Sequence, residues 1–223
     1  KPEPKVYAIV ESNEINRNHL QFFGTHLSEM ERTLAVMQIE GLLDTFKNAK
    51  EYGSILNVDI CDWDVLEKFI DDLGTTGQIS FESVGSEKTQ ECLRKLLRVA
   101  KNLGQKYEAV VTNPPYLSNS RFSPTLDKYI KDNYSDVKTD LSMVMFKHAL
   151  KDLCNTQGFV SFITTSSWMF LSSFEKLRSY VFDRFDFVSI VDFGTELFEG
   201  KVGHNPIAAW VNRKSSTDYT ITS

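Results

Sequence analysis

The sequence predicts an α/β fold with a largely parallel sheet and helical layers. In the second half, short apolar runs alternate with helix-length segments, a pattern typical of parallel sheets packed against helices. The expected strands are 107–112, 159–164, 187–193 and 207–211, with helices at 140–154 and 173–182 and a long polar loop after residue 112. A length of 223 residues allows one domain, or one domain with an inserted helical piece.

The first half is predicted to be mainly helical, because its apolar residues recur at helical spacing. Its expected elements are a β-rich stretch at 6–10, a helical segment from 16 to 50, a strand at 55–60, and helices at 64–73 and 87–103. We therefore divide the chain into a helical part, residues 1–104, and an α/β part, residues 105–223.

The composition, 41% hydrophobic and 25% charged, is that of a soluble globular protein. A membrane span is not expected, because no run of about eighteen apolar residues occurs. Cys61, Cys92 and Cys154 are odd in number and far apart, which argues against disulfides or a zinc site and favours a reducing compartment, the cytoplasm. The net charge of −5 lacks the basic footprint of nucleic-acid binders. If the partner is a polyanion, we expect the main contact surface to lie outside this chain.

The most informative residues are Asn113, Pro114, Pro115 and Tyr116, which directly follow the expected strand 107–112. Ligands of open α/β sheets bind at the carboxyl ends of strands. The prolines fix φ and supply no backbone donor, and a residue before proline is held extended. The Asn113 side-chain oxygen and the Pro114 carbonyl can therefore both accept hydrogen bonds from one exocyclic amino group.

Such a pair of acceptors suits chemistry at a planar amino nitrogen, whose lone pair is delocalised into its ring. Two acceptors favour a more pyramidal nitrogen, which can attack the methyl group of a sulfonium. Tyr116 offers an aromatic face for a base swung out of a duplex. An ordinary turn after a strand explains four such residues equally well, so the interpretation depends on the neighbouring sequence.

That neighbouring sequence resembles the amino-group DNA methyltransferases of restriction–modification and phage-defence systems, and in particular the PglX-type adenine methyltransferases of BREX systems. The resemblance covers roughly residues 36–213. The segments that carry it are 52–56, 113–116, 139–141, 158–164 and 167–178.

The resemblance implies an incomplete Rossmann-like domain that uses S-adenosyl-L-methionine, with a helical insertion before the catalytic strand. It implies methyl transfer to adenine N6 in duplex DNA with the adenine flipped out, and other defence-system subunits as partners. Asn113 through Tyr116 would be catalytic, with Asn113 also at the cofactor. Phe198 is the candidate for the second face of the base, although a buried aromatic explains it equally well. Asp59 is the candidate contact to the cofactor adenosine, although acidic residues after strands are usually just solvated.

One departure concerns the cofactor. The glycine loop that should precede these segments is absent, since Gly24, Gly41 and Gly53 are isolated. We therefore expect the isolated chain to be inactive, and a target-recognition domain to lie beyond residue 223. Two alternatives stay open. One is an RNA-base or protein-glutamine N-methyltransferase with the same tetrapeptide, against which segment 167–178 favours DNA. The other is a non-catalytic scaffold that keeps the fold.

Overall fold

The computed structural model describes residues 3–74, 84–194 and 207–214, and in the last stretch the side chain of Asn212 alone. The chain divides into two compact units, residues 1–105 and 106–223.

The first unit is helical in its described residues. Its helices are α1 (Glu29–Thr45), α2 (Ala49–Tyr52), α3 (Trp63–Asp71) and α4 (Ser86–Gly104), with 3-10 turns at Arg17–Phe22 and Gly53–Ile55. The predictions of α3 and α4 are confirmed, because each helix has one apolar stripe at helical spacing. The stripe of α4 is buried at Leu93, Leu96, Leu97 and Ala100.

Three predictions for this unit are wrong. Segments 6–10 and 55–60 form no strand. Val6 is 88% exposed, so β propensity acts there without a packed surface to support it. The single helix expected over 16–50 is interrupted, since Gly24 adopts a positive φ of 65° and Ser28 starts α1 with a capping box.

The second unit contains a four-stranded sheet, and its α/β class is confirmed. The strands are β1 (Tyr107–Thr112), β2 (Cys154–Thr165), β3 (Phe185–Gly194) and β4 (Ile207–Lys214), in the order β1-β2-β4-β3. β1 and β2 are parallel, and β4 is antiparallel to both β2 and β3. Three strands therefore run in one direction, as predicted for a largely parallel sheet, with β4 reversed between two of them.

Helices α5 (Pro124–Asn133), α6 (Leu141–His148) and α7 (Glu175–Arg184) accompany this sheet, and a π-helical turn, Ala149–Leu153, extends α6. α6 packs on β2 through Phe146 and Phe162, whose ring centroids lie 5.3 Å apart. α5 lies where a long loop was predicted. Its start is nevertheless encoded, because Ser123 caps the helix and Pro124 occupies the first turn.

The faces of β2 differ in burial. Val160, Phe162 and Thr164 are buried, whereas Phe159, on the opposite face, is 43% exposed. No helix in the described ranges is long and apolar enough to cross a membrane.

Candidate functional site

The tetrapeptide 113–116 lies at the carboxyl edge of the parallel strand pair. Thr112, the last residue of β1, pairs with Phe162 of β2. Asn113 therefore leaves the sheet beside the final residues of β2. This is the edge at which open α/β sheets bind their ligands.

Tyr116 ties the tetrapeptide to both strands. Its hydroxyl lies 3.0 Å from Asn113 Oδ1 and 3.2 Å from the carbonyl oxygen of Ile163. Because a hydroxyl has one proton, it donates to these two acceptors in turn or shares the proton between them. Burial raises the pKa of Tyr116, so the group remains a donor at neutral pH.

The backbone of the tetrapeptide leaves two oxygens for a ligand. The side chain of Asn113 is exposed, whereas Pro114 is buried. The Pro115 carbonyl accepts from the N–H of Leu117 at 3.1 Å, and within the described ranges no backbone N–H donates to the Pro114 carbonyl. The Asn113 amide does not point into a packed interior, so the predicted acceptor pair remains a workable arrangement.

The loop after the tetrapeptide is paired with the start of α6. Ser118 and Asp140 form an antiparallel bridge. The N–H of Leu141 donates to the Leu117 carbonyl at 2.9 Å, and the N–H of Asn119 donates to the Thr139 carbonyl at 3.0 Å. The chain leaving Tyr116 is therefore fixed within one residue of the tyrosine.

Asp140 and Ser142 connect the start of α6 to the end of β2. Asp140 Oδ1 accepts from the Ser142 N–H at 2.8 Å and from the Ser142 hydroxyl at 2.5 Å. The Ser142 hydroxyl also lies 3.1 Å from that of Thr164, and both residues are fully buried. Sequence reasoning treated segment 139–141 only as a helix start. The available signal was an Asp in the N-cap position followed by a Ser that could bond to it.

The segment that follows β2 is held at the same edge. Trp168 is buried and stacks on Phe187, with the ring planes 8° apart and the centroids 6.2 Å apart. The Arg178 guanidinium donates to the carbonyls of Trp168 and Leu171 at 2.8 and 2.6 Å. Residues 166–171 therefore form a fixed loop beside the tetrapeptide's strand pair.

A buried titratable cluster lies at the far end of α6. His148 Nδ1 lies 2.8 Å from the Tyr134 hydroxyl and 3.2 Å from Asp152 Oδ2. Burial by itself would raise the pKa of Asp152, but the hydrogen bond and charge of His148, with Lys151 and Lys106, lower it below the usual range. Within the described part of the chain, no group of three or more His, Cys, Asp or Glu side chains could hold a metal ion.

The other candidate residues are not brought to this edge by anything described. Asp59 belongs to the first unit, is exposed, and lies on an irregular segment, because the strand expected before it does not form. Its carbonyl accepts from the Cys61 thiol at 3.6 Å. Phe198 lies outside the described residues. Their roles at cofactor and base stay predictions.

Comparisons with known proteins agree in their chemistry. The family model described as the Eco57I restriction-modification methylase matches residues 20–198. The chain is 34% identical over 163 residues to the adenine-specific methyltransferase PglX of Lacticaseibacillus casei (strain Zhang), covering 72% of this chain and 13% of that protein. It is 30% identical over 182 residues to the adenine-specific methyltransferase BrxX of Escherichia coli O9:H4 (strain HS), covering 79% and 14%.

The chain thus spans about one seventh of the length of these curated relatives. Among solved structures, a putative class I S-adenosylmethionine-dependent methyltransferase from Listeria monocytogenes aligns with a TM-score of 0.41 and 13% identity, over 58% of this chain and 42% of that one.

Proposed function

Because this chain belongs to the Eco57I restriction-modification methylase family, we propose that the natural polypeptide containing it transfers a methyl group from S-adenosyl-L-methionine to N6 of adenine in DNA. The observation that carries the proposal is the exposed Asn113 side chain at the carboxyl end of β1, with its amide oxygen fixed by the Tyr116 hydroxyl. The names of the two relatives, both adenine-specific methyltransferases, support the same chemistry.

The residues of the turn fit an adenine amino group. S-adenosyl-L-methionine supplies a methyl group on a positively charged sulfur. Asn113 Oδ1 and the Pro114 carbonyl accept the two N6 hydrogens, which returns electron density to the nitrogen lone pair. That lone pair forms the new N–C bond as the S–C bond breaks, and N6 then releases one proton to solvent. Acceptors already fixed in the free protein need no reorganisation as charge develops.

The ring of Tyr116 is proposed to stack on the flipped adenine, a contact worth about 1–3 kcal/mol per base. When the base enters, the hydroxyl can donate to the Ile163 carbonyl alone, because this second acceptor is already 3.2 Å away. Asn113 Oδ1 is then released for the N6 hydrogen. Phe198 on the second face of the base, and Asp59 at the cofactor adenosine, complete the proposed set.

The cofactor is proposed to need backbone beyond these residues. β1 leads into Asn113 and β2 into Ser166, so neither strand enters the glycine loop that would approach the methionine part. We therefore propose that the 223-residue chain alone is inactive, with residues 1–104 as a helical insertion and 105–223 as the catalytic part. A target-recognition domain beyond residue 223, a cytoplasmic location and defence-system partners belong to the same proposal.

The test uses the natural polypeptide that contains this chain, with methyl-labelled S-adenosyl-L-methionine. Duplex DNA, RNA and a glutamine-containing peptide are offered separately, and products are identified by mass spectrometry. The proposal predicts N6-methyladenine in DNA and no label in the other two substrates. Label in RNA or in the peptide would establish the corresponding alternative methyltransferase. No label anywhere, from protein shown to bind the cofactor, would favour the scaffold.

A further inference from the structure

The catalytic turn has two tethers, and they end on different elements. The Tyr116 hydroxyl reaches the carbonyl of Ile163 on β2 at 3.2 Å. The Leu117 carbonyl accepts from the N–H of Leu141, at the start of α6, at 2.9 Å. The orientation of the turn therefore depends on how β2 and the start of α6 lie relative to each other.

The Ser142 hydroxyl joins these two anchors directly. It lies 2.5 Å from Asp140 Oδ1, next to the Leu141 tether, and 3.1 Å from the hydroxyl of Thr164, next to the Ile163 tether. A carboxylate is a stronger acceptor than a hydroxyl, so Ser142 donates to Asp140 and Thr164 donates to Ser142. Ser142 and Thr164 are fully buried, so water cannot substitute for either bond.

From this chain of bonds we infer that Ser142 is a positioning residue for the catalytic turn, acting with Asp140 and Thr164. Its hydroxyl fixes the spacing of the two anchors. The spacing in turn fixes the Tyr116 ring and the Asn113 amide that the ring's hydroxyl contacts. The catalytic consequence rests on the proposed function, whereas the link between α6 and β2 does not.

A simpler role for these residues is helix capping alone, and the two roles use different atoms. The cap needs only the backbone N–H of Ser142, which donates to Asp140 Oδ1 at 2.8 Å. The link needs the hydroxyl. Ser142→Ala therefore keeps the cap and removes the link, and Thr164→Val removes the link from the other side with little change of shape.

The first measurement is amide hydrogen exchange of the 223-residue chain at Leu141 and Asn119, whose N–H groups hold the loop. Exchange reports local opening, and each variant is corrected for its change in global stability. We expect both amides to exchange about tenfold faster in Ser142→Ala and in Thr164→Val, and no further in the double variant, because linked residues are not additive. Thr164→Ser restores the wild-type rate.

The control is Tyr134→Phe, which removes a buried hydroxyl bonded to His148 at the other end of α6. It should leave exchange at the loop unchanged. In the natural polypeptide, Ser142→Ala should lower kcat about ten- to a hundredfold and leave the KM for DNA within about twofold, the pattern of a loss confined to the transition state.

Unchanged exchange at Leu141 and Asn119 in both Ser142→Ala and Thr164→Val would overturn the inference, whether or not the protein methylates DNA. Faster exchange with wild-type kcat would overturn the positioning role. Faster exchange in a polypeptide whose wild type transfers no methyl group would support the link and overturn the proposed function instead.

Discussion

Tyr116 offers a separation of ring from hydroxyl by two substitutions. Tyr116→Phe removes one hydroxyl, whose single proton serves two neutral acceptors at 3.0 and 3.2 Å and so counts as one hydrogen bond. Such a bond contributes about 0.5–1.5 kcal/mol net, so kcat/KM should fall about two- to twelvefold. Tyr116→Ala also removes a stacking contact of about 1–3 kcal/mol, which raises the expected loss to about ten- to a thousandfold.

The assay is kcat/KM for DNA methylation by the natural polypeptide, with fluorescence of 2-aminopurine at the target base as the measure of flipping. Tyr134→Phe removes a buried hydroxyl away from the turn and should leave kcat/KM unchanged. If Tyr116→Phe loses as much as Tyr116→Ala, the hydroxyl carries the effect and the stacking argument fails. If Tyr116→Ala keeps wild-type kcat/KM, both parts of the reasoning fail.

The remaining predictions concern stability. Because the folded-state pKa of Asp152 is lowered, this carboxyl stabilises the fold above the ordinary aspartate pKa of about 3.9 and loses that effect as the pH falls through the lower folded pKa. Asp152→Asn should therefore flatten the acid limb of the free energy of unfolding, measured with urea between about pH 2 and 5; an unchanged slope would contradict this. Gly158→Ala should cost about 1–3 kcal/mol, since a Cβ would lie 2.8 Å from the Glu108 carbonyl oxygen on the paired strand. Gly41→Ala, in an open position on α1, should instead gain about 0.5–1 kcal/mol, and the opposite ranking in thermal unfolding would refute the packing argument.

The sequence predicts the elements whose local pattern agrees with their packing. β1 was predicted to the residue, because its apolar run is bounded by charge before it and by Asn113 after it. α5 was missed because its exposed face is polar, although Leu126 and Ile130 are buried. The segments 6–10 and 55–60 carry β propensity, but a strand needs a partner, and propensity does not supply one.

The candidate site is divided in the same way. The tetrapeptide is recognisable because two prolines after a strand constrain the backbone locally. The contact of Tyr116 with Ile163 joins residues 47 positions apart, and that of Ser142 with Thr164 joins residues 22 apart. Such pairs depend on the register of β2 against β1 and α6, which local sequence does not encode.

The central claim is that the Asn113 amide oxygen holds the reacting nitrogen, and Asn113→Ala tests it most directly. The matched control is Asn133→Ala, at the exposed end of α5. In the natural polypeptide, Asn113→Ala should lower kcat at least about a hundredfold, as loss of one preorganised polar group does elsewhere. Its Kd for DNA should stay close to wild type, and Asn133→Ala should keep full activity. Wild-type kcat in Asn113→Ala, measured on a protein that binds DNA normally, would contradict the account.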